Sequence, residues 1–154
     1  IYYDQETILN STGEFWTHVL SADQSIDEFR AMLVWTDAPG HGLGSTTQAW
    51  VNDLDLTVSL NGQTYYGNNF GSDGFSVSGG SPDRMNNTEG IFLQDANSKT
   101  ITINVTAANI AGDGIPNQGD DTDQDFALVV YYSLAGKSYK YILPLIYKDA
   151  VLND

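Results

Sequence analysis

Two short stretches place carboxylates at the spacing of an extended chain. Val34-Trp35-Thr36-Asp37 runs out of an apolar segment into an acid, and Asn52-Asp53-Leu54-Asp55-Leu56 alternates acid with leucine. On a strand, residues two apart share a face, so Asp53 and Asp55 point one way and Leu54 and Leu56 the other. Asp37 and Asn52 stand beside this pair as further oxygen donors. A second cluster is Asp83-Arg84-Met85-Asn86-Asn87-Thr88-Glu89. A third is the run 113–125, in which Asp120, Asp121, Asp123 and Asp125 fall within six residues. Side-by-side carboxylates suit a hard cation better than acid–base chemistry. Calcium takes about six to eight oxygens from carboxylates, amides and backbone carbonyls. The third run lacks the residue order and closing Glu of an EF-hand loop, so its signal is compositional. Plain solvation of loops is the competing reading of each cluster.

Other chemistries are poorly supplied. The chain has two histidines. His18 sits in a strand pattern, and His41 lies in Gly40-His41-Gly42-Leu43-Gly44-Ser45, which reads as a flexible glycine loop. No serine turn of the nucleophile-elbow type accompanies them. There is no cysteine, which excludes disulfides, thiolate chemistry and Cys-ligated zinc. It also leans weakly towards an exported bacterial protein.

Six Lys+Arg against 20 Asp+Glu give a net charge of −14. Such a chain is not expected to bind nucleic acid or an anionic membrane surface, both of which need basic patches. Bound cations would relieve its self-repulsion. Hydrophobic residues are 41% of the 154, enough for a real core in one domain, 1–154. No apolar run reaches the ~18 residues of a spanning helix. The chain opens at Ile1-Tyr2-Tyr3 as a mature fragment or an excised domain would.

Strand patterns must position the acids. Leu54, Leu56, Val58 and Leu60 alternate with Asp55, Thr57 and Ser59, and Asn61-Gly62 offers a tight hairpin turn into residues 63–66. Ile101, Ile103 and Val105 alternate with threonine and asparagine. Residues 15–19, 29–35, 91–93, 126–132 and 139–146 are further strand segments, the last demoted towards an edge by Pro144. Long polar loops span 38–47, 67–84 and 109–125. No segment shows an amphipathic helix. Short strands with turn signals between them predict an all-β antiparallel sandwich or jelly roll, with Leu54, Leu56, Val58, Ile101, Ile103, Val105, Phe126, Leu128 and Val130 facing the core. The first few residues and the tail after Lys148 read as frayed or as pairing elsewhere. Eighteen aromatics include Trp16, Trp35, Trp50, Tyr65 and Tyr66, which form either core or a sugar- or peptide-binding platform.

The order VWTDAPG, VNDLDLTV, YYGNNF, NNTEGIFL, TITINVTAANI and QDFALVVY is specific in combination. It resembles the C-terminal β-jelly-roll domain of secreted bacterial subtilisin-like serine proteases, and more distantly the P domain of proprotein convertases. The resemblance is strongest over 13–133. The subtilase catalytic motifs are absent from the chain. The resemblance therefore implies a non-catalytic, secreted accessory domain, calcium-stabilised, with the protease catalytic domain in cis as partner and protein substrate as a further one. It assigns Asp37, Asp53, Asp55, Asn87 and Glu89 to the main calcium site. The acidic run with Asp120, Asp121, Asp123 and Asp125 is a second candidate. An independent module binding carbohydrate or fibrous protein, and a purely structural or adhesion domain, are the competing readings.

Overall fold

The computed structural model describes residues 1–40 and 50–136. The expected strand at 139–146 and the loop holding His41 lie outside the described residues. Within them the fold is all-β, as expected. The strands are β1 (Tyr2–Leu9), β2 (Phe15–Val34), β3 (Asp53–Leu60), β4 (Gln63–Phe70), β5 (Ser76–Ser78), β6 (Thr88–Leu93), β7 (Ser98–Asn109) and β8 (Gln124–Leu134). No helix among the described residues is long and apolar enough to cross a membrane.

Hydrogen bonding runs β1-β8-β2-β7-β3-β4-β5, with β6 on β2, and the named ladders are antiparallel. The 20-residue β2 is the joint between two layers. Its first half, Phe15 to Ser21, pairs with β7. Its second half, Phe29 to Val34, lies between β6 and β8. The register of both ladders shifts around Ile26, where the strand changes layers. One continuous ladder is thereby folded into a sandwich. The sequence pattern shows two segments, 15–19 and 29–35, where the structure has one strand, because the exposed Asp23 and Gln24 interrupt the apolar alternation between them.

The expected inward residues all sit in the core. Leu54, Leu56, Val58, Ile101, Ile103, Val105 and Leu128 are fully buried, and Phe126 and Val130 are nearly so. They pack with Phe29, Ala31, Leu33 and Ile91. Two expectations need correction. The chain start is a strand and not a frayed end: Tyr2 to Asp4 pair with Ala127 to Val129, and the Ile1 ammonium donates to the Val130 carbonyl at 2.8 Å. The segment 67–84 is only partly loop, because β4 continues to Phe70 and β5 follows.

Candidate functional site

β3 carries Asp53 and Asp55 on the face opposite Leu54 and Leu56, as the period-2 pattern requires, yet both acids are buried. The loop before β6 brings the covering group. Arg84 donates to Asp53 Oδ2 at 2.5 Å, and its Nη1 lies 3.4 Å from Asp55 Oδ1. A basic side chain thus attends these acids. Arg84 stands five residues before Glu89 in sequence, and only the fold carries it back onto β3.

Glu89, the second residue of β6, is 1% exposed. Its Oε2 accepts the Leu56 backbone N–H at 2.7 Å. The β3–β4 ladder begins at Thr57–Tyr66, so Leu56 is the first residue beyond it. Glu89 thus satisfies an N–H left open where β3 and β4 part. Gly67 of β4 makes room: a Cβ there would fall 2.7 Å from Glu89 Cβ and Cδ.

The cluster is electrostatically loaded. Burial, with Asp55, Asp83 and Asp53 nearby, pushes the Glu89 carboxyl up to about 8 against the opposing Leu56 hydrogen bond. Burial likewise lifts Asp55 to about 6, with Asp53 and Asp83 adding to it and Arg84 opposing. Asp55 Oδ1 and Glu89 Oε1 are buried without a hydrogen-bond partner. Asp83 closes the rim. Burial opposes its ionisation, but bonds from Asn68 and Asn86, both 2.6 Å, and from the Met85 N–H hold it below the usual carboxylate range.

The other expected ligands lie outside this cluster. Asp37 accepts the Val51 and Asn52 N–H groups, both at 2.7 Å, and so fastens the segment leading into β3. Asn52 is fully buried; its amide donates to Gly112, Asp123 and Gln124 and accepts from Ala111 and Gly112. Asn87 donates to the Trp35 carbonyl at 3.0 Å, tying the start of β6 to the end of β2. In the acidic run, Asp120 and Asp121 are exposed. Asp123 is fully buried, with Oδ1 on the Ile115 N–H and Oδ2 unpartnered against Gly119. Asp125 lies at the start of β8 opposite Ile8, and burial raises its carboxyl. As the side chains stand, no group of three or more His, Asp or Glu among the described residues is set to hold a metal ion.

Trp16, Trp35, Tyr65 and Tyr66 do not share one exposed face. Trp35 is buried, its indole N–H directed at the Asn52 carbonyl. Trp16 packs edge-on against Tyr3 and Phe126 and stacks on His18. His18 shares a 2.9 Å hydrogen bond with the Tyr3 hydroxyl. Tyr65 and Tyr66, adjacent on β4, point to opposite faces.

Compared with known proteins, the chain matches no family model, and no curated protein is significantly similar to it. The resemblance to subtilase accessory domains therefore rests on the motif order alone.

Proposed function

We propose that the chain is a non-catalytic, calcium-stabilised accessory domain of an exported subtilisin-like serine protease, working beside the catalytic domain in the same polypeptide and assisting its grip on protein substrates. One observation carries the calcium part: Asp53, Asp55 and Glu89 are buried together, and two of their oxygens lack a hydrogen-bond partner. Buried carboxyl oxygens without a hydrogen-bond partner are costly, and hard oxygen donors are what calcium takes. The residues fit the ion in kind. Asp53, Asp55 and Glu89 would hold it, with Asp83 at the margin, and the bound ion would supply neutralising charge. Occupied at ~100 times its dissociation constant, such a site adds about 2.7 kcal/mol to stability.

The test compares Asp55→Ala with the parent, each melted in calcium and in chelator. The substitution is expected to lower the melting temperature clearly in calcium. In chelator it costs much less, because it also removes repulsion and a buried charge. Equal destabilisation in both buffers assigns Asp55 to packing and rejects the calcium role. The accessory role is tested by incubating the isolated chain with casein, where no cleavage is expected; activity that survives repurification and yields to a serine-directed inhibitor rejects it.

A further inference from the structure

At the other end of β3 from the carboxylates lies a cleft of about 510 Å³. Asp55 and Leu60 are five residues apart on the strand, roughly 17 Å, so the two places are separate. The cleft is bounded by the β3–β4 hairpin, the β4–β5 loop and the turn between β6 and β7. Its walls are built rather than loose. The Asn61 amide donates to the carbonyls of Ala96 and Asn97, joining the hairpin to the β6–β7 turn. Ala96 N–H is in turn held by the Asp27 carbonyl of β2 at 2.7 Å. Asn61, Asp95 and Asn97 all take the left-handed backbone that tight turns demand. On the facing loop, Phe75 is fixed by its N–H to Asp73 and its carbonyl to Gly71.

Two half-buried rings, Tyr65 and Phe75, line the cleft together with Asp73 and Asp95. The Tyr65 hydroxyl is held by Gln63 at 2.8 Å. Phe75 and Asp95 also line an adjoining hollow of about 220 Å³, which adds Asp27 and Glu28. Among the described residues no lysine or arginine lines either one, and of these acids only Glu28 has an ion pair there, with Arg30 at 2.7 Å. Aromatic faces beside carboxylates attract a cation through the ring quadrupole and through charge. An anion is repelled here. A neutral sugar would stack on the rings, but it would leave the carboxylates without a counter-charge.

We propose that this cleft binds a cationic side chain, lysine or arginine, of an extended polypeptide, with Tyr65 and Phe75 against the alkyl stem and charge and with Asp73 and Asp95 opposite the head group. The adjoining hollow takes a second basic residue of the same segment. The site stands independently of calcium in the carboxylate cluster.

The probe is an acetylated, amidated Lys-Ala-Lys-Ala-Lys peptide, titrated into the whole chain and followed residue by residue by NMR, in calcium and in chelator. Saturable shifts are expected at Tyr65, Phe75, Asp73 and Asp95 in both buffers. Asp73→Asn with Asp95→Asn, and separately Phe75→Leu, should each weaken binding about fivefold or more; Tyr65→Leu serves should the Phe75 variant fail to fold. Glu6→Gln with Asp23→Asn removes the same charge elsewhere and should leave binding unchanged. Equal weakening by both charge pairs means diffuse attraction to an acidic chain and overturns the proposal. So does the absence of saturable shifts, or cellohexaose shifting the cleft when the peptide does not. Loss of calcium dependence at Asp55 with peptide binding intact would sink the calcium reading and leave this one standing.

Discussion

The carboxylate of Glu89 occupies the space that a side chain on Gly67 would need. Gly67 has no left-handed backbone to explain it. Close approach is the reason for the glycine in the YYGNNF stretch, since Glu89 must pass it to reach the Leu56 N–H. Gly67→Ala forces the buried Glu89 or β4 to move. Overpacking of this kind costs about 1–3 kcal/mol, read as a lower denaturant midpoint. In a Glu89→Ala background the same substitution should cost far less, because the obstacle is gone. Additive losses in the double-mutant cycle would refute the steric account.

The raised carboxyls set a pH dependence with a definite sign. In the unfolded chain Glu89 ionises at the ordinary glutamate value of 4.5, but in the fold at about 8. Between those values the folded chain keeps a proton that the unfolded chain has released, so stability falls as pH rises. Below the lower value the group is protonated in both states and contributes nothing; above the upper value the loss is complete. Asp55, raised from 3.8 to about 6, adds the same sign over its own window. In chelator, urea midpoints of the parent minus those of Glu89→Gln should fall from pH 6 to 8, where Glu89 titrates and Asp55 is largely spent. A flat difference would show that Glu89 is ionised in the fold throughout.

Arg84 is the counter-charge to Asp53, and that gives it opposite weights in two buffers. In chelator, Arg84→Gln leaves buried acids without their guanidinium, a loss of about 3–5 kcal/mol for a fully buried pair and less here because Arg84 is half exposed. With calcium present the loss should shrink, and calcium affinity measured calorimetrically should rise, since ion and guanidinium compete for Asp53. Unchanged affinity would mean that the ion, if bound, lies elsewhere.

Local periodicity made the fold legible. Leu54 to Leu60 and Ile101 to Val105 alternate strictly, and a strand buried on one face can be read from that pattern alone. The length of β2 was not legible, because the polar, exposed Asp23 and Gln24 break the alternation just before the register shifts around Ile26. The candidate site was half legible. Asp53, Asp55 and Glu89 do converge. Arg84 reaches them through a loop that has no periodicity, and Gly67 matters only through Glu89 in space. Asp37 and Asn52 accept backbone N–H groups, work that calls for the same oxygen-bearing residue types as binding a cation, so residue type alone does not separate the two roles.

Asn52 separates those two roles most sharply. Its side chain is fully buried, its nitrogen donates to Gly112, Asp123 and Gln124 at 3.0 Å each, and its oxygen accepts from Ala111 at 2.8 Å and Gly112 at 3.0 Å. Every position on the amide is used, so the group joins the start of β3 to the acidic loop and the start of β8. Asn52→Asp keeps size and acceptor but removes both donor hydrogens and sets a carboxylate against the carbonyl oxygens of Gly112 and Asp123. Leaving buried partners unsatisfied costs about 1–3 kcal/mol per group, and more where charge is introduced. Thermal melts should therefore show a large loss for Asn52→Asp, of equal size in calcium and in chelator, while Asp55→Ala shows its loss mainly in calcium. If calcium restores Asn52→Asp to parental stability, position 52 lies within reach of the ion, and the hub and the cation site are one.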